Sequence, residues 1–213
     1  MAISELQLPP GVNGCAHGDA GQLAEALAQR VAAALRQALA ERGQATLVVS
    51  GGRSPVAFFE ALAQQALPWA QVLVSLADER WVPVNHAASN EALVRRHLLR
   101  GAAADARFLS LYQVAGSHEQ AAELADAAVA EMADIDVLVL GMGDDGHTAS
   151  LFPGSAHLQQ ALQADCPRRV LAMLAPSEPT QRLTLTLPVL ARARLPLLAI
   201  QGQAKLNTLS AAL

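Results

Sequence analysis

The chain has 213 residues, a length that fits one domain with a core large enough to fold without disulfides or metals. Its formal net charge is −4, with acidic and basic residues mixed along the chain, which argues against nucleic acid as a partner. The N-terminus lacks a secretory signal, and no apolar run approaches the ~18 residues that a membrane span needs. We therefore expect a cytoplasmic protein with a single domain over residues 1–213.

Hydrophobic periodicity predicts a helix over residues 19–42, where leucine or valine recurs every fourth residue. Residues 46–50 then form a short aliphatic run that ends at two glycines, as expected of a strand buried on both faces. Further strands are predicted over residues 72–76, 108–111, 135–140, 170–174 and 197–200, and further helices over 90–99, 119–132, 181–193 and from 203 onward. This alternation predicts an α/β protein with a mainly parallel sheet of about six strands covered by helices.

Ligands of open parallel sheets bind beyond the carboxyl ends of the strands, so the residues after each strand are the candidates. The sequence SGGRSP (residues 50–55) follows the first strand. Its glycines let backbone amides approach an anion, and Ser54 can cap a helix that begins at Pro55. These residues are either a phosphate-binding loop or a glycine turn that only joins strand and helix. The candidate phosphate ligands here are Gly51, Gly52, Arg53 and Ser54.

The sequence DERWVP (residues 78–83) follows the second strand. It places two carboxylates, a guanidinium and an aromatic ring at the same edge of the sheet. There Asp78 can act on a substrate as an acid or base, and Arg80 can form a bidentate pair with a phosphate. The alternative is an exposed turn with ordinary surface charges.

The segment GMGDDGHTASLFPG (residues 141–154) has the highest density of chemically active residues, with three glycines, two acids and a histidine in its first seven positions. His147 follows a glycine turn at the end of a strand, and Asp145 can orient its imidazole ring as the partner of a general base does. A lone histidine is more often a packing or surface residue. The surrounding glycines and acids favour a functional base.

Two cations follow the last strands. Arg182 falls in the first turns of the helix predicted over residues 181–193, where the helix dipole disfavours a cation unless an anion is present. Lys205 follows Gly202 at the start of the last helix. Either side chain would also be ordinary as a solvated surface cation.

We predict no metal site. The sequence has no HExxH or CxxC motif, and the two cysteines, Cys15 and Cys166, are predicted to be free thiols. The remaining histidines are scattered without a ligand spacing and are His17, His86, His97, His118 and His157.

Together these motifs resemble the 6-phosphogluconolactonase family. The motifs SGGRSP, DERWVP, Ser89-Asn90, GMGDDGHTASLFPG, PTQRLTLT and GQAK occur in the family's order from Ser50 to Lys205. The resemblance implies a three-layer α/β/α Rossmann-like fold, a monomer, and hydrolysis of 6-phosphoglucono-1,5-lactone to 6-phosphogluconate in the oxidative pentose phosphate pathway. It also implies that no metal or organic cofactor takes part.

The resemblance further implies roles for the candidate residues. His147 is expected to take a proton from the attacking water and return it to the ring oxygen, with Asp145 and Asp78 as further catalytic residues. The oxyanion donors stay open between the amides of residues 141–146 and a nearby cation. The phosphate is expected to bind the amides or side chains of Gly51, Gly52, Arg53, Ser54, Arg80, Arg182 and Lys205.

Two departures from the family pattern stand out. Arg53-Ser54 occupies positions where similar enzymes often carry Ser-Thr, and the chain ends at Leu213, about where relatives continue into another segment. We therefore expect either an abbreviated final edge or a sequence that lacks further residues.

Two other functions also fit parts of the sequence. Glucosamine-6-phosphate deaminases share the glycine loop, the acid after the second strand and the DGH turn, and Asp78 would then be an enolising base. Their glutamate after the histidine is replaced by Phe152, which favours the lactonase. A sugar-phosphate sensor without turnover is the other alternative, since related folds occur in transcription regulators fused to DNA-binding segments. We expect no such segment here, because the chain has neither the room nor the charge signature for it, and a sensor would have no need for His147.

Overall fold

The computed structural model describes residues 3–52 and 54–213. The strands are β1 (Ala45–Val49), β2 (Val72–Leu76), β3 (Asp78–Arg80), β4 (Arg107–Phe108), β5 (Val137–Leu140), β6 (Val170–Leu174), β7 (Gln181–Leu185) and β8 (Leu195–Leu198). The α-helices are α1 (Ala20–Arg42), α2 (Val56–Ala63), α3 (Asn90–His97), α4 (His118–Ala130), α5 (Leu158–Leu162), α6 (Leu187–Leu190) and α7 (Gln203–Ala212). Across these residues, no helix combines the length and apolarity that a bilayer crossing requires.

The main sheet is parallel and has five strands in the order β4-β2-β1-β5-β8. All five residues of the central β1 are buried, as the aliphatic run predicts. Val49, the last residue of β1, is level with Leu76 on β2 and Val139 on β5. The loops that follow these three strands therefore begin side by side. The predicted α/β class and mainly parallel sheet are confirmed.

Helix α1 begins and ends where its capping residues predict. The carboxylate of Asp19 accepts a hydrogen bond from the Gln22 amide at 2.8 Å, which satisfies one of the free amides of the first turn. At the other end Gly43 has φ +71° and its amide donates to the Leu39 carbonyl. The helix buries one face, including Val31 and Leu35, against the sheet and α2.

The prediction of a helix over residues 181–193 is wrong. Gln181–Leu185 form the strand β7, and only Leu187–Leu190 are helical. β7 lies between β3 and β6 in a second, antiparallel sheet of order β3-β7-β6. Leu183, Thr184 and Leu185 alternate along the strand and are buried, and β-branched threonine fits such a ladder better than a helix.

Several other boundaries differ from prediction. Residues 170–174 are a strand as predicted, but they belong to the small sheet and not to the parallel one. The strand Asp78–Arg80 was not predicted, because a charged triplet has no hydrophobic periodicity. Helix α2 begins at Val56 after Pro55, with no side-chain capping bond, so the predicted Ser54 cap is wrong. The described residues form eight strands in two sheets, where the sequence predicts about six.

Asp136 connects several elements at the edge of the main sheet where its strands begin, opposite the loops that follow β1, β2 and β5. Its buried carboxylate accepts from the Thr46 amide at 2.8 Å and from the Arg42 guanidinium at 2.7 Å. Arg194 lies 3.5 Å away, just before β8. One side chain therefore links the end of α1 with the beginnings of β1, β5 and β8.

Replacement of this carboxylate tests its contribution to stability. We expect Asp136→Ala to lower the free energy of unfolding by about 2 kcal/mol, because the buried Thr46 amide loses its acceptor. Asp134→Ala is the matched control, since Asp134 is exposed and pairs with the same Arg194 at 3.5 Å, and it should cost under about 0.5 kcal/mol. Urea unfolding measures both, and equal losses would contradict the assigned role.

Candidate functional site

A cavity of about 280 Å³ opens where β1 and β5 end. The loops after β1, β5 and β8 line it, together with β3, β7 and the first turns of α1. Most of the residues proposed from the sequence come together here: Gly51, Gly52, Ser54, Asp78, Arg80, His147, Arg182 and Lys205. Asp145 lies behind His147, and Arg53 falls outside the described residues.

His147 and Asp145 form a hydrogen-bonded pair. Nδ1 of His147 lies 2.5 Å from Oδ1 of Asp145, and the His147 amide donates to the same oxygen at 3.2 Å. Burial by itself would raise the pKa of Asp145, but the hydrogen bonds from His147 outweigh it and lower that pKa. An ionised carboxylate can only accept, so Nδ1 carries the proton. In the neutral imidazole with this tautomer, the lone pair that a general base requires is on Nε2.

The glycine turn before His147 is fitted closely to this pair. The Gly143 amide donates to the His147 carbonyl at 2.8 Å, and the Gly146 amide donates to the Gly143 carbonyl at 3.1 Å. A Cβ atom on Gly143 would lie 2.2 Å from Nδ1 of His147. Gly146 has φ +85°, a conformation that glycine adopts without strain. Gly143 is therefore required by the position of the imidazole ring, and Gly146 by the backbone conformation of the turn.

Arg80 and Arg182 are direct cross-strand partners on β3 and β7. Both line the cavity, although Arg182 is only 7% exposed. Burial lowers the pKa of Arg182, and the positive charge of Arg80 lowers it further. Among the residues that the structure describes, neither guanidinium forms an ion pair with a carboxylate. Like charges opposite each other destabilise a sheet, so this pair is suited to receive an anion.

Asp78 lies between the two arginines and the histidine loop. Side chains alternate along a strand, so Asp78 and Arg80 share one face of β3. The buried carboxylate of Asp78 accepts from the Ser150 hydroxyl at 2.7 Å, and the Ser150 amide donates to the Thr184 hydroxyl at 3.3 Å. Ser150, which the sequence did not single out, thus connects the histidine loop with β3 and β7 of the small sheet.

Asn90, the first residue of α3, is a second contact that sequence reasoning missed. It is 1% exposed. Its side chain accepts from Nη1 of Arg80 at 2.5 Å and donates to the Asp78 carbonyl at 2.9 Å. A Cβ atom on Gly51 would lie 1.8 Å from its oxygen, so glycine is needed there for packing, whether or not an anion binds. The sequence gives only the pair Ser89-Asn90, which also fits a plain helix cap.

The carboxyl group of Glu79 points away from the cavity, on the opposite face of β3, and is fully buried. Burial raises the pKa of Glu79 to about 7, although hydrogen bonds from the amides of Asn90, Glu91 and Arg80 oppose the rise. A carboxyl group that titrates near neutral pH beside a cavity is a feature that DERWVP alone did not reveal.

Lys205 lies in the first turn of α7, and Phe152 lies between His147 and Arg182. The rings of His147 and Phe152 are 4.4 Å apart, and the Arg182 guanidinium carbon lies 5.7 Å from the Phe152 ring centre. The hydroxyl of Thr208 donates to the Asp144 carbonyl at 3.0 Å and so attaches α7 to the histidine loop. Within the described residues, no group of three or more His, Cys, Asp or Glu is arranged to hold a metal ion.

The sequence matches the family model described as glucosamine-6-phosphate isomerases/6-phosphogluconolactonase over residues 18–213. The chain belongs to this family. It is 64% identical over 214 residues to a 6-phosphogluconolactonase of Pseudomonas aeruginosa, with 100% of this chain and 90% of that protein covered. It is 57% identical over 213 residues to a 6-phosphogluconolactonase of Pseudomonas putida, with 100% of this chain and 88% of the relative covered.

The fold is also that of a solved member of the family. The crystal structure of a 6-phosphogluconolactonase from Shewanella baltica superposes with a TM-score of 0.89 at 38% identity. The superposition covers 92% of this chain and 84% of that one. The Rossmann-like three-layer arrangement implied by the sequence motifs is confirmed at this level.

The fit of Gly143 against His147 can be tested directly. We expect Gly143→Ala to push the imidazole ring away, so that the distance from Nδ1 to the Asp145 carboxylate exceeds about 3.5 Å and the hydrogen bond is lost. Gly141→Ala is the control, because a Cβ atom there meets nothing within 4 Å. Crystal structures of the two variants measure the distance, and an unchanged pair in Gly143→Ala would contradict the packing argument.

Proposed function

We propose that this protein hydrolyses 6-phospho-D-glucono-1,5-lactone to 6-phospho-D-gluconate in the oxidative pentose phosphate pathway. The observation that carries the proposal is that one cavity brings together the His147–Asp145 pair and two arginines that form no ion pair with any carboxylate of the described residues. A base and an anion site are what hydrolysis of a phosphorylated lactone needs. The identity to proteins named 6-phosphogluconolactonase supports the choice of substrate.

In the proposed reaction, Nε2 of His147 removes a proton from water while the water oxygen attacks the lactone carbonyl carbon. The bond between this carbon and the ring oxygen then breaks, and the imidazolium returns the proton to the ring oxygen. Asp145 stabilises the transient positive charge through Nδ1. General base catalysis of this kind accelerates a reaction by about 10²- to 10⁴-fold.

The phosphate is proposed to bind between Arg80 and Arg182. Charge-assisted hydrogen bonds to a phosphate are roughly twice as strong as neutral ones, and no carboxylate in the described part of the chain forms a competing ion pair with either arginine. The glycine loop and Lys205 lie on the same cavity and complete the site: the ligands would be the amides of Gly51, Gly52 and Arg53 and the side chains of Ser54 and Lys205. For the oxyanion, the amides of residues 141–146 and a nearby cation both remain candidates.

An aldose–ketose isomerase or deaminase is less well supported. Asp78 would be its enolising base, but the buried Asp78 carboxylate already accepts the Ser150 hydroxyl at 2.7 Å. The acid of the deaminase pattern is replaced by Phe152, which is 6% exposed and contacts the His147 ring. A sensor without turnover would bind the sugar phosphate but would form no product.

Four further expectations stay predictions: a catalytic role for Asp78, a single domain, a monomeric state and a cytoplasmic location.

The first experiment follows acid release from freshly prepared 6-phosphogluconolactone, corrected for spontaneous opening. We expect the wild-type protein to accelerate opening and His147→Ala to lower kcat by about 10²- to 10⁴-fold, because the base is removed. His157→Ala, an exposed histidine outside the cavity, should retain wild-type activity. Full activity in His147→Ala would place the base elsewhere, and an inactive wild-type protein would refute the lactonase proposal.

The anion site is tested by comparing phosphorylated and unphosphorylated gluconolactone. We expect Arg182→Leu to raise KM for the phosphorylated lactone by about 10- to 100-fold, the factor for a lost charged hydrogen bond, with little change for the unphosphorylated one. Arg192→Leu is the matched control, since Arg192 is exposed and outside the cavity. Equal losses on both substrates would show that Arg182 does not act on the phosphate.

A further inference from the structure

We infer that Glu79 is a positioning residue that fixes the guanidinium of Arg80 in place for the phosphate by holding the start of helix α3. The inference rests on the proposed function, because it takes Arg80 as a phosphate ligand. Glu79 itself does not line the cavity, so it acts through its neighbours.

The carboxylate of Glu79 has all its acceptor positions occupied. Oε1 accepts from the amides of Arg80 at 2.6 Å and Asn90 at 2.7 Å. Oε2 accepts from the Glu91 amide at 2.7 Å and the Ser89 hydroxyl at 3.1 Å. Four donors match the four lone-pair positions of an ionised carboxylate. Two of them are free amides of the first turn of α3, where a negative charge is favoured.

Glu79 and the guanidinium of Arg80 both bind the start of helix α3. Nη1 of Arg80 donates to the Ala88 carbonyl at 2.9 Å and to the Asn90 side chain at 2.5 Å. Both acceptors lie at the start of α3, directly beside the amides bound by Glu79. Nε of Arg80 is buried and has no hydrogen-bond partner among the described residues. The contacts therefore use Nη1 to fix the guanidinium and leave other donors for a ligand.

Ionisation of Glu79 determines how firmly this segment is held. The charged groups around it are Asp78 and Arg80 on β3, Glu91 on α3 and Arg182 on β7. Burial raises the pKa of Glu79 to about 7, against the opposing effect of the backbone amides, and the charge of Asp78 adds to the rise. Protonation occupies one of the four lone pairs. The hold on α3 is then complete above pH 7 and weaker below it.

The test compares the wild-type protein with Glu79→Gln, which keeps the volume but turns one acceptor into a donor. At pH 8 we expect KM for 6-phosphogluconolactone to rise about 10-fold, the factor for one charged hydrogen bond, with kcat nearly unchanged. The unphosphorylated lactone should react as with wild type. For the phosphorylated lactone, the ratio of the KM of Glu79→Gln to the KM of the wild-type protein should approach 1 at pH 6, where wild-type Glu79 is itself protonated. The ratio cancels pH effects that are common to the two proteins, such as ionisation of the substrate.

Two further variants make the result specific. Glu91→Gln is the matched control, because Glu91 is equally buried on α3 but its side chain binds Arg95 and Ser110. It should leave the KM ratio at 1. Asn90→Ala should raise KM as Glu79→Gln does, and the double variant should be no worse than Asn90→Ala alone, since both act through one path. Circular dichroism checks that each variant is folded.

Equal losses on both substrates, additive effects in the double variant, or a KM ratio that does not change with pH would overturn the inference. The calorimetric dissociation constant of 6-phosphogluconate separates it from the proposed function. If the wild-type protein opens no lactone but Glu79→Gln weakens this binding about 10-fold at pH 8, the inference stands and the lactonase proposal fails. Unchanged binding in Glu79→Gln would overturn the inference while leaving hydrolysis intact.

Discussion

Parallel pairing of β1 with β2 and β5 is the constraint on which the site depends. Because Val49 is level with Leu76 and Val139, the chain leaves all three strands at one edge, and short loops suffice to place the glycine turn, the acids and the histidine around one cavity. The amide of Ala77 still donates to the Val49 carbonyl, and that of Ser50 to Val139. The ladder thus continues to the cavity wall and keeps the loops from separating.

The small antiparallel sheet adds what the parallel sheet does not supply. It places Arg80 and Arg182 opposite each other, an arrangement that costs free energy unless an anion or a network of hydrogen bonds compensates for it. The structure provides the network on one side only. Arg80 is held by the start of α3, and Arg182 donates through Nε to the Pro179 carbonyl at 2.8 Å. The cavity side keeps the positive charge.

The sequence identified the α/β class, the central strands and most residues on the cavity, because aliphatic runs and the loops after them follow general rules of parallel sheets. It failed for the small sheet. Alternation of leucine and threonine over residues 183–186 is a usable strand signal, but these residues fall within the helix predicted over residues 181–193. Glu79, Asn90 and Ser150 were beyond reach, since their roles come from contacts between segments distant in sequence. All three belong to motifs that the sequence shows, DERWVP, Ser89-Asn90 and GMGDDGHTASLFPG, but the motifs alone assign none of them a role.

Ser150 gives the proposed site a fixed length. Its hydroxyl binds Asp78 and its amide binds Thr184, so the loop that carries His147 is attached to the same two strands that carry the arginines. The span from the cationic pair to the imidazole is therefore set by covalent geometry and two buried hydrogen bonds, and not by a flexible arm. In the proposed reaction, such a span selects substrates by the number of bonds between phosphate and carbonyl. A sugar lactone phosphorylated at another carbon would place one end correctly and miss the other.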